Sequence, residues 1–146
     1  MFVEIFSQTD VSSHYLSNLP MELNLNQITV AVKDVEKSIE FYQKLGLNLI
    51  VKSLPKYARF ECLNGEATFS LYQSDGNINT STWIYFETQT LDKDVKKLLD
   101  LGIEFETFPT DQSWLWREAR LKDLDGNQLI LYFAGNNRKN PPWKIR

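Results

Sequence analysis

The chain has 146 residues, a formal net charge of −3, 42% hydrophobic and 24% charged residues, which is the balance of a soluble protein large enough for one domain with a real core. This charge provides no broad basic surface for nucleic acid, no apolar run approaches the roughly 18 residues of a membrane span, and the start lacks the basic flank and apolar run of a signal peptide. Cys62 and His14 are the sole cysteine and histidine; an intrachain disulfide and a usual zinc site are therefore both excluded, and a reducing, cytoplasmic setting is expected.

Residues 1–23 show no sustained period and read as an N-terminal extension, with Met21 a conceivable alternative start. The organised part begins at residue 24. Ile28, Val30 and Val32 alternate with Gln27, Thr29 and Ala31, the period of a strand with one buried face. Asp34 stands at an N-cap position, Val35, Ile39, Tyr42 and Leu45 recur at helical spacing, and Gly46 closes the helix in a left-handed cap. Strands are predicted over 47–53, 57–63 and 67–73, with Pro55 and Asn64-Gly65 marking the turns.

Ser74 to Asn77 is a linker, and then the pattern returns: a strand at 82–88, a helix at 91–101, and strands at 103–108, 116–122 and 128–134, the last pair joined by the turn Asp123-Leu-Asp-Gly-Asn127. Val35 with Leu91, Ile39 with Val95 and Gly46 with Gly102 are each 56 residues apart, which points to a duplicated module. The expected domain spans 24–135, as two βαβββ modules at 24–75 and 80–135, followed by a polar tail over 136–146 in which Trp143 is expected to dock. The class is α+β. The two modules side by side give a curved eight-stranded sheet with helices on its outer face and a concave inner face.

Alternation assigns the faces. Ile28, Val30, Phe69, Leu71, Ile84, Phe86, Leu129 and Leu131 are expected under the helices. Gln27, Thr29, Thr68, Ser70, Tyr72, Trp83, Tyr85, Glu87, Glu118, Arg120, Gln128, Ile130 and Tyr132 are expected on the opposite, inner face, where Trp114 and Trp116 can join them. That set is polar and aromatic, as a ligand-binding lining requires.

The run Asn26 to Asp34, then Phe41-Tyr42 and Leu45-Gly46, resembles the opening of the vicinal oxygen chelate superfamily, which includes glyoxalase I, the fosfomycin resistance enzymes, extradiol dioxygenases and the bleomycin resistance proteins. Asp123-Leu-Asp-Gly-Asn-Gln-Leu-Ile-Leu131 resembles its closing signature, with Leu124 in place of a proline. The resemblance covers about 24–134 and implies the same repeated βαβββ fold. Its metal enzymes carry four ligands on inner-face strand positions, which fall here on Gln27, Ser70, Trp83 and Ile130. Of these only Gln27 retains a plausible ligand atom, so no divalent metal cofactor is expected, and the glutamate base of glyoxalase-type proton transfer is missing too.

The resemblance thus implies a metal-free binding protein like the bleomycin resistance branch, a homodimer that holds a small aromatic or cationic molecule in its cleft. Trp83, Tyr85, Trp114, Trp116 and Tyr132 would supply stacking planes, and Glu87 and Glu118 would balance positive charge. The alternative is an enzyme: a glyoxalase-like lyase related to lactoylglutathione lyase, or metal-free acid–base chemistry with Glu87 or Glu118 as base and Arg120 as anion clamp.

Overall fold

The computed structural model describes residues 21–145; most of the expected N-terminal extension, and His14, lie outside the described residues. The elements follow in the order β1 (Gln27–Val32), α1 (Val35–Lys44), β2 (Asn48–Ser53), β3 (Tyr57–Glu61), β4 (Thr68–Gln73), β5 (Trp83–Glu87), α2 (Leu91–Asp100), β6 (Thr107–Asp111), β7 (Arg117–Lys122) and β8 (Gln128–Phe133), with a single 3-10 turn at Gly135–Asn137. No helix among them is long and apolar enough to cross a membrane.

Local chemistry sets these boundaries. Asp34 accepts a hydrogen bond from the Lys37 amide at 3.0 Å, satisfying one of the orphan donors at the start of α1. Gly46 and Gly102, at φ +103° and +87°, end the helices in a conformation that an L side chain resists. Val35, Ile39 and Tyr42 of α1 and Leu91, Val95 and Leu98 of α2 are buried, so each helix presents one apolar stripe to its sheet.

The duplication is visible in the pairing. The strand orders are β1-β4-β3-β2 and β5-β8-β7-β6. Gln27 lies opposite Thr68 in a parallel β1–β4 pair, and Trp83 lies opposite Gln128 in a parallel β5–β8 pair, at matching places in the two modules. The predicted modules are therefore present, each a four-stranded sheet with its helix on one face. The eight strands form two four-stranded sheets, with no ladder joining β1 to β5.

The helix-bearing faces of both sheets feed one continuous core. It contains Val30, Val32, Phe69 and Leu71 from the first module and Ile84, Leu129 and Leu131 from the second, as the alternation predicted, together with Phe60 and Leu121, which were not among the expected core residues. Phe69 meets Phe86 across the module boundary edge to face, with ring centroids 5.7 Å apart. The opposite faces share no hydrogen bond or aromatic contact among the described residues, and the two sheets are not closed on each other.

The Asp123–Asn127 turn clasps the two modules. The Tyr42 hydroxyl donates to Asp123 Oδ2 at 2.6 Å, the Lys33 amide donates to Asp125 Oδ1 at 3.0 Å, and Asn127 Nδ2 donates to the Ala31 carbonyl at 3.1 Å. Burial, and then the adjacent Asp123 carboxylate, push the Tyr42 phenol far above its ordinary range, so it stays a donor.

Two expectations need correction. The strand predicted at 103–108 starts instead at Thr107. Ile103 is buried and Phe105 half-buried, so their alternation serves the core and not a ladder. Pro109 falls inside β6, tolerated because β6 is an edge strand whose register shifts between Thr107 and Thr110. Trp143 does not dock: it is 57% exposed.

Candidate functional site

The open face of the first sheet is a polar network. Gln27 Nε2 donates to Ser70 Oγ at 2.8 Å, and the Tyr57 hydroxyl donates to the same oxygen at 2.7 Å. Thr68 Oγ1 is hydrogen-bonded to Gln27 Oε1, and Arg59 Nε donates to the Tyr57 oxygen at 2.9 Å. Slight burial raises the Tyr57 phenol, but the Ser70 and Arg59 hydrogen bonds outweigh it and leave the group below its ordinary range. Thr29 and Tyr72 stand exposed beside this network. Tyr57 and Arg59 were not among the predicted residues. The signal was available, because Ala58 and Phe60 are the core positions of β3 and their neighbours must face the other way.

The open face of the second sheet is aromatic. Ile130 is fully buried, covered by Trp116 and Tyr132 in a small second core. Trp116 stacks on Tyr132 with centroids 4.7 Å apart, and Tyr85 meets both rings edge on, at 5.8 and 5.4 Å. Trp116 and Tyr132 are thus engaged with each other, leaving Trp83, Tyr85 and Trp114 as the planes offered outward. Trp83 is 53% exposed and points away from the core, as its place in the alternation requires. The Arg120 guanidinium lies over its ring, 4.7 Å from the centroid.

The two expected carboxylates have different fates. Glu87 Oε2 accepts the amides of Ala134 and Gly135 at 2.8 and 2.9 Å, and Oε1 is 3.9 Å from Arg138. It fastens the chain leaving β8 and is not free to act as a base. Glu118 is 1% exposed. Its Oε2 accepts the Trp114 indole N–H at 2.8 Å, while Oε1 has no hydrogen-bond partner among the described residues. Arg120 Nη2 approaches that oxygen only to 3.7 Å. An unsatisfied buried acceptor costs about 1–3 kcal/mol, and more when charged. The loop that brings Trp114 to Glu118 carries a second cost, since Leu115 sits at φ +67° without being glycine.

Burial raises the Tyr85 phenol, as does the Glu118 charge, while Arg120 opposes it; burial and then Glu87 raise Tyr132. Both phenols therefore remain protonated donors near neutral pH. Gln128 stands at the margin, donating to Glu106 Oε1 at 2.8 Å.

Two grooves among the described residues are not centred on these side chains. One of about 820 Å³ touches Tyr85, Glu87 and Tyr132 but runs towards the 62–67 turn and α2. Another of about 700 Å³ lies between α1 and the 102–106 segment. On this face Trp83 is exposed, Arg120 partly exposed and Glu118 buried.

A family model for the glyoxalase/bleomycin resistance protein/dioxygenase superfamily matches residues 24–131. The chain belongs to this superfamily. YraH of Bacillus subtilis (strain 168) is 28% identical over 127 residues, covering 75% of this chain and 98% of that protein. A superfamily member from Sphaerobacter thermophilus DSM 20745 is similar in structure at 22% identity and TM-score 0.65, covering 78% of this chain and 99% of that one. A glyoxalase/bleomycin resistance protein/dioxygenase from Nocardioides is similar at 20% identity and TM-score 0.70, covering 94% and 100%. At these identities the two structures speak to the fold alone.

The four positions that carry metal ligands in the superfamily's metal enzymes do not fit a metal here. The Gln27 amide is committed to Thr68 and Ser70, Ser70 is fully buried and hydrogen-bonded, Trp83 has no donor lone pair, and Ile130 is hydrocarbon. No group of three or more His, Cys, Asp or Glu residues among the described residues is placed to hold an ion.

Proposed function

We propose that this member of the superfamily is a metal-free, cytoplasmic binding protein that holds a small planar aromatic molecule against the face formed by Trp83, Tyr85 and Trp114. The observation that carries this reading is Trp83: where the metal enzymes place a ligand, this chain presents an exposed indole with the Arg120 guanidinium over its ring. A flat ligand gains roughly 0.5–1.5 kcal/mol per aromatic contact beyond burial. The fate of Glu87 weakens the case for a strongly cationic ligand, and the absence of a carboxylate at Ser70 and Ile130 weakens the lyase alternative.

Assembly completes the site. Trp83, Tyr85, Trp114 and Leu115 leave a substantial aromatic and apolar surface uncovered, and such patches mark interaction surfaces. The proposal is a homodimer in which a second copy covers this face and encloses the ligand. Purified protein is expected to scatter light as a dimer and to carry no stoichiometric metal by elemental analysis. About one metal per chain, lost on Gln27→Ala, would overturn the metal-free part, and a monomer at working concentration would overturn the assembly part.

The binding reading is tested with Trp83→Ala. Its exposed indole contributes little to the core, so the expected stability loss is no more than about 1 kcal/mol. Quenching of intrinsic fluorescence by planar aromatic compounds should weaken at the same time. A large fall in melting temperature, with no quenching of the wild type by any compound, would show that the indole is structural.

A further inference from the structure

We infer that the open face of the second sheet selects a planar molecule with an amide-type edge, an N–H donor beside a carbonyl acceptor, read jointly by Glu118 and Arg120. The inference rests on the ligand-binding reading above and narrows its chemistry. Glu118 sits on β7, opposite Tyr132 of β8 and Thr110 of β6. One of its carboxylate oxygens is used by Trp114; the other is buried and accepts nothing. Native proteins pair nearly all such atoms, so an exception calls for an explanation.

The neighbouring arginine has the complementary deficiency. The Arg120 side chain makes no hydrogen bond to the described residues; its guanidinium lies over the Trp83 ring, 4.7 Å from the centroid, and Nη2 stops 3.7 Å from Glu118 Oε1. That separation is too long for a direct hydrogen bond. A planar edge that donates to Oε1 and accepts from the guanidinium satisfies both groups once Arg120 shifts to admit it. Arg120 is a long, partly exposed side chain, and the inference requires it to rotate as a ligand reaches the buried Oε1. The planes of Trp83, Tyr85 and Trp114 beside this pair favour a flat molecule.

Charge decides among flat molecules. Glu118 and Arg120 carry opposite charges at close range, so a pure cation gained by one is repelled by the other, and a pure anion meets the reverse. A neutral donor–acceptor edge satisfies both. Glu118 and Arg120 thereby become specificity-determining residues on strand β7, away from the four positions that carry metal ligands in the superfamily's enzymes.

Benzamide, benzamidinium and benzoate share one ring and differ only in this edge, so they separate the possibilities. Their binding to the full chain would be measured by ligand-observed NMR, for the wild type, Glu118→Gln, Arg120→Gln and Trp83→Ala, with thermal unfolding run on each variant. The expected result is that benzamide binds the wild type several-fold more tightly than either charged probe. Glu118→Gln and Arg120→Gln should each weaken benzamide by about tenfold. Arg120 is partly exposed, so its variant remains informative if Glu118→Gln does not fold. Benzamidinium or benzoate binding as tightly as benzamide would overturn the inference and leave the binding face standing, as would benzamide binding that is indifferent to both substitutions. If no probe binds the wild type, the binding-face reading fails and the inference fails with it.

Discussion

Asp123→Ala is expected to lower the unfolding free energy by about 3–5 kcal/mol, measured by denaturant or thermal unfolding. The carboxylate accepts the Tyr42 hydroxyl at 2.6 Å, Asn127 Nδ2 at 2.9 Å and the amides of Asp125 and Asn127, both at 2.9 Å. Hydrogen bonds to a charged acceptor contribute about 1.5–3 kcal/mol each, and their loss strands the buried Tyr42 hydroxyl. Tyr42→Phe removes one of these bonds and keeps the ring, so it should cost only about 1–2 kcal/mol. Because the two share a network, the double variant should be clearly less destabilised than the sum of the singles. Additive losses would show that the clasp is not a coupled unit.

Phe69→Ala should cost a comparable amount, about 3–5 kcal/mol, in the same measurement. The ring is buried at the module boundary, 4.8 Å from Tyr42 and 5.7 Å from Phe86 between centroids. Removing it empties the centre of the shared core, where neither sheet can close in without disturbing the other. A loss under about 1 kcal/mol, comparable with that expected for Trp83→Ala, would mean that the modules are stabilised separately and that the boundary packing is incidental.

Much of this was legible in the sequence because it is local. Asp34, Gly46 and Gly102 carry their conformational preferences wherever they stand, and the alternation of Ile28 and Val30 with Gln27 and Thr29 sorts one face from the other without tertiary information. The same rule placed Trp83 outside the core. What escaped depends on distant partners. Nothing near Ile103 and Phe105 says that their alternation fills a core before a strand begins. Glu87 looks like a free inner-face carboxylate until the chain after β8 returns two amides to it. That Trp116 and Tyr132 spend their faces on each other depends on the chain entering β7 beside β8, and the Trp114 bond to Glu118 depends on the loop before β7. Tyr57 and Arg59 were legible and overlooked, since Ala58 and Phe60 between them already fixed their direction.

The clasp also has a mechanical consequence. Among the described residues, every hydrogen bond between the two modules lies at the corner formed by residues 31–42 and 123–127. At the opposite corner the 62–67 turn faces the end of β5 across the 820 Å³ groove, with no such bond. Directional bonds resist sliding and rotation at one corner, whereas the other depends on packing contacts that tolerate small displacements. The molecule is therefore stiff about one edge and compliant about the other, like a folded card glued along a single seam. The Glu87 end of β5, which borders the groove, is the end farther from the clasp, while Trp83 at its start pairs with Gln128 beside the Asp123 turn.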